Sequence, residues 1–102
     1  MHLDDMTLQT FEPLIGSMFT VRRADGDPIQ IKLTAAEPVM ERVRSKKLKR
    51  QPFVIYFEGP ESPFLQQQMY EFSHEAIGEN VAIFIVPIGR EDGLYQYEAV
   101  FT

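Results

Sequence analysis

Leu65–Gly89, LQQQMYEFSHEAIGENVAIFIVPIG, decides the fold class. In Met69–His74 the rings of Tyr70 and Phe72 alternate with Glu71 and Ser73, the period of a half-buried strand. Val81–Ile88, VAIFIVPI, is apolar on both parities, rich in β-branched residues and too short for a membrane span. This predicts a central strand covered on both faces. Between the two runs, Gly78 takes positive φ without steric cost and Asn80 tolerates it well. A reversal there makes the two strands neighbours.

Working outward in both directions, the same alternation recurs. Ser17–Ala24 sets Phe19 and Val21 against Thr20 and Arg22, and Ile29–Ala35 sets Ile29, Ile31 and Leu33 against Gln30, Lys32 and Thr34. The link ADGDP carries an Asp-Gly pair, a strong hairpin signal, with Pro28 at a strand entrance. Pro52–Glu58, PFVIYFE, is a further strand that Gly59-Pro60 should close. GREDG then forms a second hairpin link through Gly93, and Leu94–Phe101 alternates Tyr95, Tyr97, Ala99 and Phe101 with Gln96, Glu98 and Val100. Upstream, Leu8, Phe11, Leu14 and Ile15 recur at helical spacing, but Pro13 limits them to a short helix or turn that plugs one end of the core. Thr10, not Glu or Gln, stands three residues after Thr7, so a full capping box is not expected. Val39, Met40 and Val43 suit one helical turn before an exposed loop. Six strands with turn-like links predict a mainly antiparallel β fold: a small barrel, or else a two-layer sandwich, with one or two short helices. Either would cover the apolar face and reduce exposed edges, and the barrel is preferred.

The 102 residues make one domain, with residues 38–51 as an excursion from it. The absence of cysteine excludes a disulfide framework, a thiolate zinc site and a cysteine nucleophile. The start, MHLDDMTLQTF, lacks the basic and apolar regions of a signal peptide, and no apolar run reaches the ~18 residues of a span, so a cytoplasmic protein without membrane insertion is expected. Net charge is −5, but Arg42, Arg44, Lys46, Lys47, Lys49 and Arg50 form a +6 segment. Four basic residues then face fifteen acidic ones elsewhere, a remainder of −11.

A set of motifs runs through nearly the whole chain. They are F-E-P-L-I-G at Phe11–Gly16, E-G-P at Glu58–Pro60, L-x-Q-x-x-Y-x-F-x-H at Leu65–His74, I-G at Ile77–Gly78, F-I-V-P-I-G at Phe84–Gly89 and Y-E-A-V-F at Tyr97–Phe101. This combination resembles a family of short bacterial proteins classed as a domain of unknown function. Members often neighbour genes for phage-tail-like collar proteins, which implies a structural or assembly role by association. The resemblance brings no catalytic residue, and Val39–Arg50 departs from its pattern.

His74 is the one side chain suited to general-base work, with Glu98 as a carboxylate to orient it. The competing and favoured role is a strand-end imidazole bonded to backbone at the turn. Ser62 lacks the Gly-x-Ser-x-Gly elbow of a hydrolase serine. His2 and His74 have no partners at metal-ligand spacing, Asp4-Asp5 and the Asp25/Asp27 pair are at most loose calcium ligands, and no phosphate-binding glycine motif occurs. No cofactor is expected. Gln66–Gln68 suits a solvated connection. The basic segment suits a solvated loop, a phosphate contact or an acidic protein surface; protein is preferred to nucleic acid because no aromatic residue interleaves with the charges. The expectation is a non-enzymatic interaction or assembly domain with a protein partner or a second copy. The alternatives are a ligand-binding barrel whose mouth uses Tyr70, His74, Tyr95, Tyr97 or Glu98, or an enzyme centred on His74 and Glu98.

Overall fold

A computed structural model describes residues 3–24, 26–39 and 51–102. Six strands, β1 (Met18–Arg22), β2 (Ile29–Pro38), β3 (Phe53–Pro60), β4 (Gln68–His74), β5 (Gly78–Glu91) and β6 (Leu94–Phe101), close into an antiparallel barrel in the order β1-β2-β3-β6-β5-β4. The barrel, not the sandwich, is therefore the solution. One helical turn, α1 (Leu8–Phe11), lies between 3₁₀ turns at Leu3–Asp5 and Glu12–Leu14. Thr10 does take the place of Glu or Gln, since the Thr7 N–H donates to its Oγ1 at 2.9 Å.

Inward-facing rings fill the barrel. Phe57 meets Phe19 at 5.4 Å and Phe72 at 5.2 Å, centroid to centroid. At one end Phe53 and Phe101 stack at 4.6 Å, and α1 places Phe11 over them, 5.8 and 5.4 Å away. The expected plug is thus a single phenylalanine carried by one helical turn. Six strands enclose a narrower bore than the eight that side chains just fill, so these rings occupy it. Burying each contributes about 1.5–3 kcal/mol.

Both tight reversals follow the residues that permit them. Gly78 (φ 95°), the first residue of β5, closes the turn at residues 75–77 and Asn80 (φ 59°) lies inside β5 at its register shift against β4, while Asp92 (φ 53°) and Gly93 (φ 78°) make a two-residue hairpin between the paired Glu91 and Leu94. The β1–β2 link is wider than its Asp-Gly pair suggests: pairing ends at Val21 opposite Ile29, and Arg23 Nε bridges the loop to the Asp27 carbonyl at 2.9 Å.

Three strands depart from expectation. β3 continues through Gly59 and Pro60, because a bare Gly59 lets Ile31 and Tyr97 pack against the backbone where a Cβ would lie 2.8 Å from Ile31 Cγ2. β2 runs to Pro38, three residues beyond Ala35. β5 is not covered on both faces. Val81, Ile83 and Ile85 point into the core, whereas Phe84 and Ile88 are about half exposed. Barrel closure explains this, for one parity of the strand lines the bore while the other, which holds Phe84 and Ile88, faces outward. The helical turn expected over Val39–Val43 lies, apart from Val39, outside the described residues.

Candidate functional site

His74 ends β4 beside an irregularity where Phe72 pairs with Val81 but His74 with Gly78. This turns its ring onto Phe19, 4.4 Å between centroids. The Ala76 N–H donates to Nδ1 at 3.0 Å, which assigns the neutral ring's proton to Nε2. Nε2–H then donates to Ser17 Oγ at 3.0 Å, and the Ser17 hydroxyl donates to the Leu14 carbonyl at 2.5 Å. Protons in this chain run from histidine to serine to backbone, opposite to the direction in which a base activates a serine. The arrangement ties the β4–β5 turn to the helical segment at the barrel end, the structural role favoured by the residue pattern.

Glu98 is not part of it. Its neighbours in the sheet are Tyr56 on β3 and Val86 on β5, and it faces outward, opposite in parity to buried Tyr97. Glu98 is hydrogen-bonded to Tyr56, whose phenol is held above its ordinary pKa by burial first and then by the charges of Glu98 and Glu37. The structure therefore separates the His74–Glu98 pair across the barrel wall.

The tyrosines expected at a ligand mouth hold a connection instead. The fully buried Tyr97 hydroxyl accepts the Leu65 N–H at 3.0 Å, and the Tyr70 hydroxyl donates to the Gln66 carbonyl at 3.0 Å. Burial pushes the Tyr97 phenol up, against the smaller opposing pull of the Leu65 hydrogen bond. Tyr95 packs on Phe64, 4.7 Å between centroids. Together these contacts bring the β3–β4 connection across the barrel end opposite Phe11, and the ion pair Glu61–Arg90 (2.6 Å) anchors its start.

Two surface features remain. Where β1 leaves β4 after Arg22 opposite Glu71, a polar cleft of about 480 Å³ opens between Arg23, Phe64, Gln66, Gln68 and Tyr70, continuous with a second of about 360 Å³. On the outer wall, Met69 of β4 pairs with Phe84 of β5, and both line a shallow depression of about 250 Å³ with Val100 of β6. These three side chains are 55%, 46% and 57% exposed, an apolar row on a face that should be polar. Among the described residues no cluster of three or more potential ligands is placed to hold a metal, and no helix is long and apolar enough to cross a membrane. Arg42, Arg44, Lys46, Lys47, Lys49 and Arg50 lie outside the described residues. The ends of their excursion are joined, the Val39 N–H to the Pro52 carbonyl at 2.9 Å and Gln51 Nε2 to the Val39 carbonyl at 2.8 Å.

Residues 6–101 match the family described as Domain of unknown function (DUF6916). The chain belongs to that family. The match takes in α1 and all six strands, so the DUF6916 unit is this barrel with its Phe11 plug. No curated protein matches the chain, and no solved structure does.

The apolar row of this DUF6916 barrel has no chemical signature in the sequence, because methionine, phenylalanine and valine carry no acid–base group. Its signal was nevertheless in the sequence: a strand apolar on both parities buries one face in the bore and must present the other somewhere. The double parity of Val81–Ile88 marked this surface, although it first suggested a covered central strand.

Proposed function

We propose that this DUF6916 domain is a non-enzymatic protein-interaction module that serves an assembly, docking a protein partner on the outer wall of its barrel. The observation that carries the reading is the exposed row Met69–Phe84–Val100 on a barrel whose bore is occupied by phenylalanine rings. A half-exposed phenylalanine flanked by two half-exposed aliphatic side chains is an anchor of the kind that protein interfaces bury. The +6 segment Arg42–Arg50 adds a second contact, suited by charge to an acidic protein surface. The family resemblance supports an accessory role beside a bacterial phage-tail-like structure, in the cytoplasm where such structures are built. The direct test is crosslinked capture from the native cell with wild type, Phe84→Asp and a Lys46→Glu/Lys47→Glu/Lys49→Glu variant. Loss of the same tail-structure proteins with either variant is the expected result. Capture that neither variant alters would overturn the proposal.

The polar cleft favours a second reading, a small polar ligand held by Arg23, Gln66 and Gln68 beside the Tyr70 ring. Screening a library of polar metabolites by chemical-shift perturbation at these residues separates it from the first.

A further inference from the structure

We propose that the occupant of the Met69–Phe84–Val100 row is a second copy of this chain, docked head to tail through its Arg42–Arg50 segment. The inference rests on the interaction reading above and names its partner.

The row is apolar at the centre and acidic at the margin. Asp4 lines the same depression. Glu71 follows Met69 by two residues on the same strand, and Glu98 precedes Val100 by two, so all four share the outward parity. Glu37 pairs with Val54, which in turn pairs with Val100, placing a fourth carboxylate on the same wall. Among the described residues the basic side chains are Arg22, Arg23, Lys32 and Arg90. Arg22 already faces Glu71 at 3.9 Å, Arg23 is bonded to the Asp27 carbonyl, and Arg90 is paired with Glu61. Lys32 stands on β2 opposite Met18 and Glu58, remote from the row in strand order. A basic complement for this face therefore comes, within one chain type, from Arg42–Arg50. That segment interleaves Val43 and Leu48 with its six charges, the composition an apolar row with an acidic margin would bind.

The same charges decide the symmetry. Setting two rows face to face would oppose carboxylates to carboxylates across the contact, which is unfavourable. Setting the row of one copy against the basic segment of another leaves the first copy with an unused segment and the second with an unused row. Such a contact is heterologous, and it propagates into a ring or an open filament. At roughly 150–250 Å² for a large side chain, half exposure leaves about 300 Å² of apolar surface on the row, well short of the ~800 Å² per partner of a standard interface. Each contact is accordingly weak and salt-sensitive, with dissociation in the range of about 10–500 µM.

The test is sedimentation velocity on the full chain from about 5 to about 500 µM, at about 0.05 and 0.5 M salt. Average mass should rise with concentration and fall at high salt. Phe84→Asp, which lacks a working row, and Lys46→Glu/Lys47→Glu/Lys49→Glu, which lacks a working segment, should each remain monomeric. Mixed in equal amounts they should form a 1:1 pair and nothing larger, because the only intact row and the only intact segment then lie on different chains. Should Phe84→Asp unfold, as judged by its circular dichroism melt, Val100→Lys replaces it. A wild type that is monomeric throughout, a lysine variant that still self-associates, or a mixture that stays monomeric would each overturn the inference. If any of these occurs while Phe84→Asp still loses the partner captured from cells, the head-to-tail contact is wrong and the interaction reading stands. If capture is also unchanged, both fail.

Discussion

Replacing Tyr97 by Phe removes one oxygen atom from a fully buried side chain midway along β6 and leaves the ring in place, so no cavity is created. What changes is the Leu65 amide. It donates to the Tyr97 hydroxyl at 3.0 Å, and Leu65 is itself 1% exposed, so its N–H is left buried without that acceptor. An orphaned buried donor costs about 1–3 kcal/mol. In a domain of this size each kcal/mol lowers Tm by about 4–8 °C, so Tyr97→Phe should melt roughly 4–24 °C below wild type. Urea unfolding at pH 7 should show a lower midpoint with an unchanged slope. The pH dependence supplies an independent check. Burial raises the Tyr97 pKa above its ordinary value of 10.0, so above pH 10 the native state holds this proton more tightly than the unfolded chain does. Wild-type stability therefore falls as pH rises through that range. The variant lacks this contribution, and Tyr56, whose pKa is also raised, is common to both proteins and cancels in the difference. The gap between wild type and variant should be full at pH 9 and narrow toward pH 11. A gap below about 0.5 kcal/mol at pH 7, or one that does not change with pH, would refute the role given to this hydroxyl.

Phe11→Ala empties the plug over Phe53 and Phe101 and should cost about 3–5 kcal/mol in denaturant unfolding; a loss under 1 kcal/mol would mean that the barrel end closes without it. Ser17→Ala and His74→Ala, combined in a double-mutant cycle, should show a coupling of about 0.5–1.5 kcal/mol, and strict additivity would show that their 3.0 Å contact carries no energy. Gly59→Ala forces a methyl to within 2.8 Å of Ile31 Cγ2 and 3.2 Å of Tyr97 Cε2, at a cost of about 1–3 kcal/mol by thermal melt. In an Ile31→Ala background that cost should shrink, and an equal cost in both backgrounds would show that the clash is not with Ile31.

The strands were legible because alternation survives wherever one face is buried. Tyr70/Phe72, Phe19/Val21 and Tyr97/Ala99/Phe101 all point inward as their parity requires. Gly78 and Gly93 marked reversals because positive φ is a local requirement, whereas Asn80 takes it inside β5 at the register shift against β4. What a local pattern does not contain is the lateral extent of each strand. Gly59 and Pro60 read as a stop, yet β3 continues through them because β6 lies alongside as far as Leu94, and Gly59 is where Ile31 and Tyr97 need the room. The exposure of Phe84 was hidden too, because nothing in VAIFIVPI records whether a second layer covers the outward parity of β5.

The candidate site moved by an argument about available hydrogen bonds. His74, Tyr70 and Tyr97 are the groups a chemist would choose, and each has a polar contact within its own fold: Nδ1 and Nε2 of the histidine with Ala76 and Ser17, the two phenols with Gln66 and Leu65. Recruiting any of them for a ligand would mean breaking a contact that closes a barrel end, at about 1 kcal/mol or more for each bond left unmade. Met69, Phe84 and Val100 carry the opposite balance. Their exposed area costs free energy in the isolated barrel, and covering it relieves that cost without disturbing an internal bond. A narrow barrel packed with phenylalanine can thus bind on its wall more cheaply than in its bore, and the acidic margin of that wall is the ground on which a basic partner is proposed.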